Sequence, residues 1–400
     1  MVNSETFRIE IKNEIKLYII LMFVAICIRT FFFDSIVIIW IINFIGLFFI
    51  FRHRLRKVEK AWAYCIIFFL MISLSTFLVN IKYLENDIKG IGTNVNLLVT
   101  PTYIILLGLY YKERPFSDDI IWSVFNIISI IGLVSVAFAW ITGYRDIISV
   151  IYGRMNAYLA KGSGLFYGKN IYGAFISLSG SVDLFLYNLT KKNKYIVLYI
   201  IKLFAVMVSF SRAALLHAAV FLIVYLWFNK KRAKREWILL FLTAIVIVVV
   251  VLLNRDILNA FTNTIIRFEA GDAGRSNERI RSLNAIDNNI LVIIFGLGFP
   301  GLGMLSLDID NTYFYLFFTG GILKCVFFIF GFFFFIHNSF RIYKYNKSLT
   351  CFCVGMALSY YVYAFYESVC IFELGFLNYI FTLLIFLIPS GYRVSNENKI

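Results

Sequence analysis

The feature that most constrains this chain is a series of long apolar runs along its whole length. Twelve runs of 16 to 25 residues are almost free of charge. A helix crosses the bilayer core with about 20 apolar residues. A mean hydropathy of +0.82 and only 4 Pro agree with this interpretation, which predicts an all-α polytopic membrane protein with about 12 transmembrane helices. The predicted spans are 16–33, 36–51, 61–79, 95–111, 120–141, 171–189, 195–211, 213–228, 238–253, 312–336, 349–366 and 374–390.

The basic residues predict the orientation of these spans. Segments 52–60 and 229–237 each hold five Lys/Arg, and segments 190–194 and 341–347 each hold three. All four fall on one face when the spans alternate in direction. Short loops rich in Lys and Arg stay on the cytoplasmic side. We therefore expect that face, and both termini with it, to be cytoplasmic.

The net charge of +15 alone is compatible with a nucleic-acid-binding protein. That function needs a soluble basic face, whereas these charges lie in short loops between apolar runs. We therefore interpret the charge as an orientation signal and expect no nucleic-acid partner.

Two predicted outer loops are much longer than the other connections. They cover residues 142–170 and 254–311, and most connections need only a few residues. Binding and catalytic residues concentrate in such loops. We treat 1–400 as a single polytopic domain whose two long loops cap an active site, with shielding of a pore mouth as the alternative.

Several arginines on the outer face are candidates for anion binding. Arg212 follows Ser211 at an outer turn, where it either snorkels to the surface or binds an anion. Arg275 and Arg279 share a face if their segment is helical, so they need a counter-charge. Glu278 can supply it internally, and a phosphate can supply it externally because guanidinium groups match phosphate oxygens.

Three of the charged residues inside predicted spans are further candidates. Lys202 lies in the middle of one span and is expected to pair with Asp183 of the preceding span, as a structural ion pair or a proton relay. Lys324 is the third. The three histidines and six cysteines form no recognisable metal motif, and we expect no metal.

Four short motifs occur in order between residues 150 and 325. They are Arg154 with Gly164-Leu165-Phe166 and Asn170, the Ser211-Arg212 turn, Gly274-Arg275 with Arg279, and Gly296-Leu-Gly-Phe299 followed by Asn311 and Gly320-Gly321. This pattern, with twelve spans and one dominant outer loop, resembles the O-antigen polymerase/ligase superfamily of bacterial surface-polysaccharide assembly, Wzy-type polymerases in particular.

The resemblance implies a fold like that of GT-C glycosyltransferases and a location in the bacterial plasma (inner) membrane. It implies transfer of a polyprenyl-diphosphate-linked glycan onto the next lipid-linked repeat unit, without a cofactor. Members that act as ligases carry a His-Asn pair after the large loop. This chain has Asp310-Asn311 there, which favours a polymerase.

The resemblance also assigns roles to the candidate residues. A diphosphate leaving group needs fixed cations, and an acceptor hydroxyl needs a base. The expected diphosphate-binding residues are Arg154, Arg212, Arg275 and Arg279, and the expected catalytic bases are Asp310 and Glu278. Implied partners are the lipid-linked oligosaccharide, membrane lipid, a chain-length regulator and a flippase. The alternatives are an O-antigen ligase and a twelve-span flippase or transporter, although the chain shows no internal repeat.

Overall fold

A computed structural model of the protein describes residues 15–24, 27–28, 117–152, 164–166, 168–209, 211–228, 290–296, 311–367, 369 and 376–392. These residues are almost entirely helical and include no β-strand, which confirms the all-α class for this part of the chain. The helices are α1 Ile15–Val24, α2 Asp118–Ile151, α3 Lys169–Thr190, α4 Asn193–Val208, α5 Arg212–Phe228, α6 Ile290–Phe295, α7 Thr312–Arg341, α8 Lys347–Tyr363 and α9 Phe376–Gly391.

Two of the described helices are long and apolar enough to cross a membrane. Helix α2 has 34 residues and α7 has 30, or about 51 and 45 Å at 1.5 Å per residue. Both exceed the roughly 30 Å of a bilayer core. Helix α2 continues ten residues beyond the predicted end of its span, so the first part of the 142–170 loop is helical.

The lateral surface of the bundle is apolar. Ile141 is 73% exposed on α2, and Phe330 and Phe333 of α7 are 68% and 62% exposed. A core helix of a soluble protein buries such side chains, and large exposed apolar patches mark partner or membrane contacts. This exposure favours a membrane protein over a soluble bundle.

Helix α3 is the centre of the packing. Every residue from Tyr172 to Asn188 is buried, because α2, α4, α5, α8 and α9 all contact it. Its interior is not wholly apolar, since Ser177, Ser179 and Asp183 lie among the aliphatic side chains. A helix that is buried all round and also carries polar groups must find hydrogen-bond partners on its neighbours.

Helix α7 is interrupted at Gly321, where φ is 67° and ψ is −167°. The short helix α6 and Gly296 are packed against this break. A Cβ built on Gly321 would lie 2.1 Å from the carbonyl oxygen of Ile294, and one on Gly296 would lie 2.4 Å from the Gly320 nitrogen. Two small residues inside a span permit the close approach of another helix, and α6 makes that approach at Gly320-Gly321.

One end of the bundle, named here the Asp118 end, joins the start of α2 to α8 and α9. The Asp118 carboxylate accepts hydrogen bonds from the Tyr392 hydroxyl at 3.1 Å and the Asn346 amide at 3.5 Å. Burial raises the pKa of Tyr392 to about 12, so the phenol is a donor at neutral pH. Phe228 and Phe340, near the ends of α5 and α7, pack edge to face at the same end, with ring centroids 6.3 Å apart.

The opposite end, named the Arg212 end, joins the starts of α3, α5 and α7. Gly173 packs against Ser209 of the α4–α5 turn. The Thr312 N–H donates to the Ala364 carbonyl just beyond α8, at 2.9 Å. The helices that begin at one end therefore finish at the other, which gives the alternating directions that a polytopic bundle needs.

Candidate functional site

Of the six predicted site residues, Arg212 is the one that the structure describes. It is the first residue of α5 and is partly buried. The remaining five lie outside the described residues, and their roles stay predictions. They are Arg154, Arg275, Glu278, Arg279 and Asp310.

The turn before Arg212 is built by serine side chains. The Ser211 N–H donates to Ser209 Oγ at 3.3 Å, and the Ala214 N–H donates to Ser211 Oγ at 3.4 Å. Ser211 therefore caps the start of α5 and satisfies one of its unpaired N–H groups. The serine of the Ser-Arg motif thus has a structural role that its sequence position alone does not reveal.

Arg212 occupies a position that the helix dipole disfavours. The first turn of a helix carries a partial positive charge, and a cation there is unfavourable by about 0.3–1 kcal/mol. An anion bound at this turn would interact favourably with a guanidinium and with the backbone N–H groups of the first turn. Arg212 already makes an interaction in the structure, so snorkelling and anion binding both stay open as its role.

The start of α3 is brought directly against this turn. A Cβ on Gly173 would lie 2.8 Å from Ser209 Oγ and 3.0 Å from Ser211 Cβ. Asn170 is three residues before Gly173 and therefore lies on the same helix face. Asn170 and Arg212, which belong to two different sequence motifs and are 42 positions apart in the chain, thus both lie at the Arg212 end.

The Gly164-Leu165-Phe166 motif anchors the segment that leads into α3. Gly164 has a φ of +56°, and a Cβ built on it would lie 2.9 Å from the Cα and backbone nitrogen of Ala139 in α2. Phe166 is 1% exposed and packs on Phe175 and Phe376 at 5.3 and 6.3 Å. The glycine permits a left-handed turn, and the phenylalanine inserts that turn into the core.

Asn311 fixes the start of α7 at the same end. Its Oδ1 accepts from the N–H groups of Tyr313 and Phe314 at 2.9 and 3.2 Å, and its Nδ2 donates to the Phe365 carbonyl at 2.7 Å. The oxygen of the amide thus caps the first turn of α7, and its nitrogen ties that turn to the segment just after α8.

A buried ion pair joins α2, α3 and α4 deeper in the bundle, as the sequence predicts for Lys202 and Asp183. Lys202 Nζ donates to Asp183 Oδ2 at 2.5 Å, to Ser179 Oγ at 2.9 Å and to the Ser129 carbonyl at 2.9 Å. Ser129 Oγ donates to the other carboxylate oxygen. Both charged side chains have 0% exposure, so the pair is fully desolvated.

The sequence gives no indication of a second polar contact in the core. His217 Nδ1 lies 2.7 Å from Ser177 Oγ, although the residues are 40 positions apart. The ring is flanked by Tyr363 and Phe381 at 6.0 and 5.5 Å. Its Nε2 is buried and makes no hydrogen bond in the part of the chain that the structure describes.

No family model, curated protein or solved structure matches this chain. The function therefore has to be argued from the residues and the geometry of the bundle.

Proposed function

We propose that the protein is a polymerase of bacterial surface polysaccharide. In this proposal it crosses the plasma membrane with about twelve helices and a GT-C-like arrangement, and the Arg212 end faces away from the cytoplasm. Its donor is a polyprenyl-diphosphate-linked glycan, and its acceptor is the next lipid-linked repeat unit.

The observation that supports this proposal is the convergence of motif residues at the Arg212 end. Phe166, Asn170, Arg212 and Asn311 are scattered over about 145 residues of sequence, yet each lies where helices meet at that end. Such convergence is expected if the motifs belong to one site. It does not follow from proximity in the sequence, because these residues are far apart in the chain. The two long loops, 142–170 and 254–311, lead into the same end.

The proposed chemistry follows from the charges of these residues. The acceptor hydroxyl attacks the anomeric carbon of the donor, its proton passes to Asp310 or Glu278, and the bond to the lipid diphosphate breaks. The departing diphosphate is stabilised by Arg154, Arg212, Arg275 and Arg279, which stay protonated at any physiological pH. In the proposal these residues act without a cofactor.

Disruption of the gene, followed by gel analysis of surface polysaccharide, tests the reaction class. We expect the mutant to keep single repeat units on its surface and to lose long chains, because export and ligation of one unit do not need polymerisation. Loss of the single units as well, or an unchanged ladder, would reject the polymerase assignment. Restoration of long chains by the plasmid-borne gene is the control for polar effects.

Substitution of the arginines tests the proposed diphosphate site. We expect Arg275→Ala and Arg279→Ala each to abolish chain extension while the protein stays in the membrane, because each removes a cation from the leaving group. The effect of one such contact is about 10²–10³-fold in rate. Arg341→Ala is the matched control, since it removes an exposed arginine from the Asp118 end. Full activity of both outer variants contradicts the site.

A transporter is the second candidate, and two observations favour it. Helix α7 is broken at Gly321, and Lys202 and Asp183 form a buried charge pair. Broken helices and intramembrane charges are both common in transporters. Uptake or flipping of the lipid-linked unit by the purified protein in vesicles, without chain extension, would favour this candidate.

A further inference from the structure

Two exposed turns at the Asp118 end carry dense positive charge. One is the α3–α4 turn at 191–194, and the other is the α7–α8 turn at 341–347. Neither contains a carboxylate. The six cationic side chains are all exposed, and we call them the basic surface: Lys191, Lys192, Lys194, Arg341, Lys344 and Lys347.

The two turns belong to one surface because a chain of contacts connects them. Asn188, just before the first turn, donates from Nδ2 to the Tyr225 hydroxyl at 2.7 Å. One turn further along α5, Phe228 packs on Phe340, next to the second turn. The described carboxylates at this end are Asp118, which accepts hydrogen bonds from Tyr392 and Asn346, and Asp119.

Tyrosine rings beneath the basic surface hold three of its ammonium groups. The pairs are Lys191 over Tyr187 at 5.3 Å, Lys194 over Tyr195 at 4.8 Å, and Lys347 over Tyr343 at 5.4 Å. Further large aromatic side chains lie exposed beside them, with Trp227 at 64% and Tyr345 at 67%. Aromatic rings of this kind concentrate at the level of lipid headgroups.

We propose that the basic surface binds the phosphodiester headgroups of anionic phospholipids. Such a lipid presents a negative phosphate and apolar chains at adjacent levels, and this surface presents cations and exposed aromatic rings at adjacent levels. An acidic protein or a free phosphate matches the cations alone. Each basic residue near a membrane surface changes the affinity by about fivefold. This surface is separate from the Arg212 end, so the inference does not rest on the proposed polymerase activity.

The test uses the full-length protein, purified in neutral detergent and supplied with either phosphatidylglycerol or phosphatidylcholine. Native mass spectrometry counts the lipids retained, and thermal unfolding reports their effect on stability. We expect phosphatidylglycerol to be retained at least tenfold more strongly and to raise the unfolding midpoint. The rise should shrink in 1 M NaCl, where the Debye length falls to about 3 Å.

Two charge variants divide the basic surface. The first is Lys191→Gln/Lys192→Gln/Lys194→Gln, and the second is Arg341→Gln/Lys344→Gln/Lys347→Gln. Each variant keeps the positive charges of the other turn, so the chain should still insert into the membrane in the same orientation. We expect each to lose at least tenfold in phosphatidylglycerol preference. The matched control, Arg145→Gln/Lys161→Gln/Lys169→Gln, removes the same charge from the predicted outer loop 142–170 and should keep the preference.

Four results would overturn the inference. They are equal retention of the two lipids by the unmodified protein, an equal loss of preference in the control variant, unchanged preference in both charge variants, and an equal rise of the midpoint with inorganic phosphate alone. The last result would indicate a simple ion site. Displacement of bound phosphatidylglycerol by an acidic polypeptide, with tighter binding of that polypeptide, would favour a protein partner instead.

Discussion

At the scale of the residue, the Lys202–Asp183 pair shows which parts of a buried polar cluster a sequence pattern can predict. Two opposite charges in adjacent apolar spans predict a pair, because either charge alone is costly in a membrane. The pairing is therefore predictable, whereas the hydroxyl groups of Ser129 and Ser179 that complete it are not. They lie up to 73 residues from Lys202 in the chain, and serine occurs at many positions of these spans.

Lys202→Met should destabilise the protein by about 3–5 kcal/mol, because it leaves the Asp183 carboxylate buried without its cation. The double variant Lys202→Met/Asp183→Leu removes both charges and should recover most of that loss. Chemical unfolding in detergent measures both. Lys194→Met removes an exposed lysine and should change the free energy of unfolding by less than about 0.5 kcal/mol.

The same variants separate the two roles left open for the pair. A structural pair predicts that the stable double variant keeps full chain extension in the polysaccharide assay. A stable double variant without activity would instead assign the pair a part in proton movement.

At the scale of the element, hydropathy locates the described helices well and their irregularities poorly. Spans predicted at 171–189 and 195–211 correspond to helices Lys169–Thr190 and Asn193–Val208. Hydropathy does not predict the break at Gly321, although consecutive glycines are a possible signal for one. The break depends on contact with α6, which ends 26 positions upstream of Gly321. A hydropathy average over neighbouring residues does not include that contact.

Gly321→Ala should destabilise α7 strongly. A side chain at this φ of +67° costs about 1–3 kcal/mol in backbone strain, and its Cβ would also overlap the Ile294 carbonyl. Thermal unfolding in detergent measures the loss. Gly168→Ala is the matched control, because its φ of −150° suits any residue and no atom lies within 4 Å of the added Cβ. Equal stability of the two variants would contradict a packed break.

At the scale of the whole molecule, the alternating helix directions place the basic loops on one face, and the charge pattern therefore predicts the topology. The sequence interpretation places segments 190–194 and 341–347 on one face, and a hydrogen bond at the Asp118 end joins Asn346 of the second segment to Asp118 at the start of α2. The described motif residues Phe166, Asn170, Arg212 and Asn311 lie at the other end. The charge pattern predicts which loops share a face because it acts through short loops, whereas the geometry of the candidate site depends on long-range packing that no local pattern encodes.

Reporter fusions test the division directly. We expect green fluorescent protein fused after Lys192 or Tyr345 to be fluorescent and alkaline phosphatase at the same points to be inactive, because basic turns stay in the cytoplasm. Fusions after Glu367 should give the reverse pattern, because Thr312 Oγ1 donates to the Glu367 carbonyl at the Arg212 end, at 2.5 Å. Active phosphatase after Lys192 or Tyr345 would invert the topology. It would also move the motif residues to the cytoplasmic side, where the proposed polymerisation does not take place.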